Sequence, residues 1–198
     1  LVWIIVARES RAPIADLARR PYPTLPMDGT RRLVVLGGSQ GASVFGRVVP
    51  DAVARLPEAI RRHLSIRQQC RPEDLSAVAS TYARVGVKAC LATFFDDVPS
   101  LLAGAHLVVS RAGASTIAEL TAAGRPSILV PYPHATEDHQ TANARNLDRS
   151  GAAWLVPEPE LTPDSLAKLL ADILGHPVML GTAAMCARAA GAPGAARR

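Results

Sequence analysis

From Arg32 onward, short β-branched apolar runs alternate with longer stretches of helical periodicity, the pattern of successive βαβ units. The runs predict strands over 33–36, 65–69, 87–92, 106–110, 127–130 and 152–156. Several are continuously apolar, as in parallel strands covered on both faces. Helix boundaries carry their own signals. Pro72-Glu73-Asp74 places proline and acids in a first turn, Thr162-Pro163-Asp164 places a threonine N-cap before proline, and Gly86, Gly124 and Gly151 follow helical stretches as C-cap glycines. Asp96-Asp97 reads as an N-cap and first-turn acid for a helix from Val98. The fold class expected is α/β: a single Rossmann-like domain with a six-stranded, mostly parallel sheet, whose ligand site lies beyond the C-terminal strand ends. Residues 1–31 read as a proline-bearing linker preceded by an apolar run, Leu1–Val6, that resembles a strand with its partner upstream. Residues 32–175 form the domain. Residues 176–198 form a C-terminal helix whose Ala/Gly-rich tail is expected to fray after Gly181.

Composition narrows the class. An apolar fraction of 48% with 20% charged residues fits a chain with a packed core and excludes disordered and fibrous classes. The net charge of +5 belongs to the ends. Residues 1–32 carry six arginines against three acids, Arg188, Arg197 and Arg198 close the chain, and the middle is near neutral. With no basic run interleaved with aromatics, nucleic-acid binding is not expected. Cys70, Cys90 and Cys186 form no pair at metal or redox spacing and fit a reducing compartment. Leu1–Val6 is too short to span a bilayer.

Chemistry is concentrated at three predicted strand ends. The first strand runs into Gly37-Gly38-Ser39-Gln40-Gly41-Ala42, which suits either a backbone cradle for a phosphate or a tight β-to-α turn. Its spacing is not that of dinucleotide binders, and Glu58, near the offset of their ribose acid, falls inside a predicted helix. A second small-residue turn, Ser110-Arg111-Ala112-Gly113, opens a helix through Ala114-Ser115-Thr116-Ile117-Ala118-Glu119. There Thr116 and Glu119 form either a capping box or, through Glu119, a contact to a sugar hydroxyl. After the fifth strand comes a polar loop containing His134, Glu137, Asp138 and His139, followed by Gln140 and Asn143. Two histidines five residues apart do not share a helical face, so a polar ligand is favoured over a metal. Phe94-Phe95 precede the acid pair and read as base-flanking aromatics or as core.

Together, the segments 37–42, 94–97, 110–119 and 138–144 resemble, in order and in register, the C-terminal domain of the MurG family, the bacterial undecaprenyl-diphospho-muramoylpentapeptide β-N-acetylglucosaminyltransferases. The resemblance runs from about Arg31 to about Gly175. It implies the second half of a GT-B glycosyltransferase, in which GlcNAc passes from UDP-GlcNAc to lipid I with inversion, giving lipid II for peptidoglycan. It implies further that Ser39 contacts the donor diphosphate and that the Phe95 main chain reads the uracil edge. Ala114, Ser115, Thr116, Ile117, Ala118 and Glu119 would border the phosphates and ribose, and Gln140 with His139 would contact GlcNAc hydroxyls. Arg11, in Glu9-Ser10-Arg11-Ala12-Pro13, stands where the family has an arginine after Asn-Pro-Val, although Leu1–Ser10 do not match. No catalytic residue, metal or cofactor is expected within the chain. The acceptor lipid I would be held by an N-terminal domain, with the enzyme peripheral on the anionic cytoplasmic face of the inner membrane. Without that domain the chain is expected to bind donor weakly and transfer nothing. Alternatives are another GT-B enzyme, such as a diacylglycerol glycosyltransferase or a UDP-GlcNAc 2-epimerase, and a non-catalytic UDP-sugar-binding module.

Overall fold

Seven parallel strands form one sheet: β1 (Val2–Ile4), β2 (Arg31–Leu36), β3 (Leu64–Gln69), β4 (Lys88–Ala92), β5 (Leu107–Ser110), β6 (Ser127–Leu129) and β7 (Ala153–Leu155). Their order is β1-β4-β3-β2-β5-β6-β7. The computed structural model describes residues 1–4, 20–23, 29–38, 42–135 and 138–191. All six strands predicted from the apolar runs are present within two residues of the expected bounds. The seventh corrects the expected count. β1 pairs with β4, with Val2 opposite Ala89 and Ile4 opposite Leu91, so the described part of the apolar N-terminal run has a partner downstream in this chain. Sequence periodicity marks a strand but carries no information about which non-local edge it joins.

Eight α-helices are described: α1 (Ser43–Ala54), α2 (Glu58–Arg61), α3 (Leu75–Arg84), α4 (Val98–Gly104), α5 (Ala114–Ala123), α6 (His139–Arg149), α7 (Pro163–Gly175) and α8 (Pro177–Ala190). They bury two apolar layers. Leu33 and Val35 of β2 point toward Phe45, Val48 and Val49 of α1, Tyr82 of α3 and Leu170 of α7, whereas Val34 and Leu36 point toward Leu102 of α4, Leu120 of α5 and Leu147 of α6. The period-2 geometry of a strand thus turns one continuous apolar run into the floor of both layers. Each fully buried Leu or Phe contributes roughly 1.5–3 kcal/mol relative to exposure.

The helix signals mark real ends. Asp97 caps α4 by accepting the Ser100 N–H at 3.0 Å. Thr162 and Ser165 form a reciprocal capping box on α7, at 3.1 and 2.9 Å. Gly86, Gly124 and Gly151 all take positive φ where helices stop, and Gly124 does so at φ 63° and ψ 52°, the left-handed conformation that glycine enters without the steric cost a Cβ adds. One of the two readings of Thr116 and Glu119 falls, and so does the expected early end of the tail. Thr116 and Glu119 do not form a capping box, because α5 starts at Ala114 with Gly113 at its N-cap and Thr116 already inside the helix. The tail does not fray after Gly181. α8 continues to Ala190 because Ala183, Ala184 and Ala187 are buried, and Gly191 closes against the Thr121 backbone of α5.

Three arginines tie together the end of the sheet where α4 and α5 close. Arg125, 0% exposed, donates through Nε to the Leu102 carbonyl (2.6 Å) and through its Nη atoms to the carbonyls of Ala103 (2.8 Å), Gly124 (3.3 Å) and Pro21 (3.2 Å). Arg188 holds the carbonyls of Arg20 (2.6 Å) and Ala123 (3.2 Å), and Arg32 holds that of Gly104.

Candidate functional site

The chain leaves β2 for β3 on one side while β5 packs on the other, so the crevice between the C-terminal ends of β2 and β5 is the topological switch point of the sheet. Leu36 lies opposite Ser110 there, which brings the two small-residue turns side by side. Gly38 has φ 80° and open space around its Cβ position, so backbone can approach a ligand closely. Ser39, Gln40 and Gly41 lie outside the described residues, as does Arg11. The two helices that open at this crevice, α1 and α5, have Ala42 and Gly113 as N-caps, no side-chain cap and no acid in the first turn. Both therefore present unopposed N–H groups and the positive end of the helix dipole. Side-chain caps are found on α4 and α7, while α2, α3, α6 and α8 also lack them, so what sets α1 and α5 apart is that they open side by side at the crevice.

The turn after β5 is built around the peptide groups of Ala112, which is 0% exposed. Gln140 Oε1 accepts the Ala112 N–H at 3.2 Å and the Tyr132 N–H at 3.0 Å, while Asn143 Nδ2 donates to the Ala112 carbonyl at 3.1 Å. One turn of α6 thus clamps both polar groups of a single buried residue. Gln140 is half-buried, and its Nε2 makes no hydrogen bond among the described residues. Next to Ala112, Arg111 lies between the rings of Phe45 (5.3 Å) and Tyr132 (5.4 Å), donates to the carbonyls of Val130 (3.2 Å) and Pro131 (3.1 Å), and is offset by Glu158 at 2.5 Å. That guanidinium is committed to the protein.

Along α5, Ala114, Ser115 and Ala118 are exposed, and Thr116, Ile117 and Glu119 are half-buried. Glu119 has no hydrogen-bond or ion-pair partner among the described residues, and desolvation raises its carboxyl above the usual carboxylate range. His139 is exposed at the start of α6, and Asp138 before it takes φ 53°. His134 packs edge-on against Tyr132. No group of three or more His, Cys, Asp and Glu side chains among the described residues is placed to hold a metal.

The loop after β4 divides the two phenylalanines. Phe95 packs against the α4–α6 layer, while Phe94 is 51% exposed. Together with Arg67, Asp97, Ser100 and Leu101 they border a cavity of ≈ 430 Å³. This loop is fastened to the glycine turn by a residue that the sequence pattern did not single out. Gln69, the last residue of β3 and 7% exposed, accepts the Gly37 N–H through Oε1 (3.2 Å) and donates through Nε2 to the carbonyls of Gly38 (3.1 Å) and Thr93 (3.2 Å). Its neighbour Gln68, 0% exposed, donates to the Phe45 carbonyl (3.1 Å) and accepts the Tyr82 hydroxyl (2.5 Å) on the other face. Paired glutamines ending an otherwise alternating strand were the available signal, since buried amides are found where the backbone needs partners.

The model of the glycosyltransferase family 28 C-terminal domain matches residues 32–198. The chain is 55% identical over 188 residues to the UDP-N-acetylglucosamine–N-acetylmuramyl-(pentapeptide) pyrophosphoryl-undecaprenol N-acetylglucosamine transferase of Rhodospirillum centenum, covering 95% of this chain and 50% of that protein. It is 55% identical over 167 residues to the protein of the same name from Rhodospirillum rubrum, covering 84% and 43%. The chain thus spans about half the length of the curated relatives it matches. Among solved structures, Acinetobacter baumannii MurG superposes with a TM-score of 0.74 at 31% identity, covering 84% of this chain and 49% of that one. WaaG, a glycosyltransferase of lipopolysaccharide biosynthesis, shares the fold at a TM-score of 0.60 and 20% identity. Its α/β architecture, its switch-point crevice and these matches agree: the chain belongs to glycosyltransferase family 28, as a C-terminal domain of the MurG type.

Proposed function

We propose that the switch-point crevice binds the nucleotide of UDP-GlcNAc, and that the chain is the donor-binding half of an inverting N-acetylglucosaminyltransferase that converts lipid I to lipid II in peptidoglycan synthesis. The observation that carries this reading is the pair of uncapped helix N-termini, α1 and α5, side by side at the switch point. A departing UDP accumulates negative charge on its diphosphate, and fixed N–H donors with two helix dipoles stabilise that charge without a metal. Ser39 adds a hydroxyl to the diphosphate, and Arg11 a cation. The main chain at Phe95 reads the uracil edge. The residues from Ala114 to Ala118 line the phosphates, and the partnerless carboxylate of Glu119 accepts ribose hydroxyls. Gln140 Nε2 donates to a GlcNAc hydroxyl, with His139 beside it. Lipid I is held by an N-terminal domain, which also supplies the base for the muramoyl 4-hydroxyl, and the assembled enzyme works peripherally on the anionic cytoplasmic face of the inner membrane.

Calorimetric titration of the chain with UDP-GlcNAc, UDP, UDP-glucose and NADH tests the reading. Saturable binding of the UDP ligands, tightest for UDP-GlcNAc, is expected, with none for NADH. Tighter binding of NADH than of UDP would overturn it.

A further inference from the structure

The strand ends at the crevice are not independent. The glycine turn after β2 and the loop after β4 are separated on the sheet by β3, and no main-chain hydrogen bond among the described residues joins them. What joins them is one side chain, Gln69. Its amide has one acceptor and two donors in use, and each is matched to a backbone group of the opposite kind: Oε1 to the Gly37 N–H, Nε2 to the carbonyls of Gly38 and Thr93. Rotating the amide by 180° would set N–H against N–H and oxygen against two carbonyls, so the network admits one orientation. The partners are also of different kinds. Gly37 and Gly38 open the turn that faces α1, and Thr93 immediately precedes Phe94 and Phe95 at the cavity. A buried glutamine whose only task was to satisfy its own strand would bond within one loop. This one bonds across two.

We propose that Gln69 is a positioning residue for the donor nucleotide, fixing the spacing between the diphosphate turn and the base-reading loop. This rests on the donor-binding reading above. A nucleoside diphosphate spans both loops, so its affinity depends on their separation, and holding that separation before binding removes an ordering cost from the complex. Gln69 touches no ligand atom in this scheme and acts through the backbone on either side.

Two isosteric variants separate positioning from simple structural damage. Gln69→Met keeps the volume and removes all three hydrogen bonds. Gln69→Glu keeps the acceptor for Gly37 and sets a carboxylate oxygen against the carbonyls of Gly38 and Thr93. Protonating that carboxyl returns one donor, and burial beside two carbonyls raises its pKa toward the range where the protein is folded. With folding checked by circular dichroism, UDP is titrated into the wild-type chain and both variants at pH 8 and pH 5. Gln69→Met is expected to weaken UDP at least tenfold at both pH values. Gln69→Glu is expected to weaken it at least as much at pH 8 and to recover severalfold at pH 5, each read as a ratio to wild type. Amide hydrogen exchange without ligand should quicken at 37–38 and 93–95 together in Gln69→Met. UDP affinity within twofold of wild type in a folded Gln69→Met chain, equal Gln69→Glu ratios at the two pH values, or exchange that quickens in only one loop would overturn the proposal. A wild-type chain that binds no UDP would refute the donor reading and the affinity claim with it, while the exchange experiment would still decide whether Gln69 couples the loops.

Discussion

Gln140 Oε1 accepts the backbone N–H of Ala112 at 3.2 Å across 28 residues of chain, so the helix that offers an amide to the crevice also holds the floor of the crevice in place. Because the Tyr132 N–H shares the same oxygen, the amide orientation is fixed and Nε2 is the atom left to face a ligand.

Replacing Gln140 separates these two tasks. Gln140→Glu retains an acceptor for both N–H groups and removes the outward donor, so its melting temperature should stay near wild type while UDP-GlcNAc affinity falls. Gln140→Ala should lower both, with a donor-binding loss of about 1–3 kcal/mol. Calorimetry and thermal melts on the two variants check this, and equal UDP-GlcNAc affinity in all three chains would remove Gln140 from the donor site.

Asn143 contributes to the same clamp from one turn further along α6. Asn143→Ala leaves the buried Ala112 carbonyl without its side-chain donor, which should cost about 1–3 kcal/mol in urea unfolding. A loss below 0.5 kcal/mol, on the scale of a neutral surface change, would show that the clamp is held by Gln140 alone.

Glu119 gives a pH dependence of definite sign. Its carboxyl is raised in the folded chain by desolvation, so the unfolded state loses the proton more readily and the charged form costs stability above the unfolded pKa. That cost is relieved as pH falls through the raised folded value. Glu119→Gln should therefore be more stable than wild type at neutral pH, with the gap closing in acid, while binding UDP about tenfold more weakly if the carboxylate accepts ribose hydroxyls. Urea unfolding at pH 7 and pH 4 reads the first effect and titration with UDP the second.

The packed tail can be tested at Gly191. A Cβ there would lie 2.7 Å from the backbone carbon and oxygen of Thr121, a clash that no side-chain rotation relieves. Gly191→Ala should destabilise the chain by about 1–3 kcal/mol, as overpacking does elsewhere. A neutral result in thermal melts would mean that the end of α8 shifts freely on α5.

Much of the architecture was legible because its signals are local. Leu33-Val34-Val35-Leu36 announces a strand buried on both faces, and Thr162-Pro163 and Asp97 announce helix starts that form with the expected hydrogen bonds. The missed features depend on distant partners. β1 needed an edge 87 residues away, Val2 on Ala89. α8 persists past Gly181 because the stretch that follows is rich in alanine, the strongest helix former, and because α5 is there to pack against. Thr116 looked like a cap because helix starts are read from polar residues, whereas α5 starts on the small residues Gly113 and Ala114 and leaves its N–H groups unclaimed. At the crevice the motif residues were visible, but Gln69 and the Asn143–Ala112 clamp were not: a polar side chain in a strand or helix is ordinarily solvated, and only the fold shows which ones turn inward to backbone.

The buried Arg125 carries a positive charge with no carboxylate bonded to it among the described residues; its acceptors at Leu102, Ala103 and Gly124 are the closing carbonyls of α4 and α5. The negative ends of those two helices are its counter-ion, and burial together with the nearby Arg188 and Arg32 cations lowers its pKa to about 10. The dipole of α5 thus meets a fixed cation at its C-terminal pole, while its N-terminal pole opens uncapped at the crevice. Lysine, a point charge with three donors, cannot reproduce a planar fork serving four carbonyls. Arg125→Lys should therefore destabilise the chain, although position 125 lies at the end of the strands opposite the switch-point crevice.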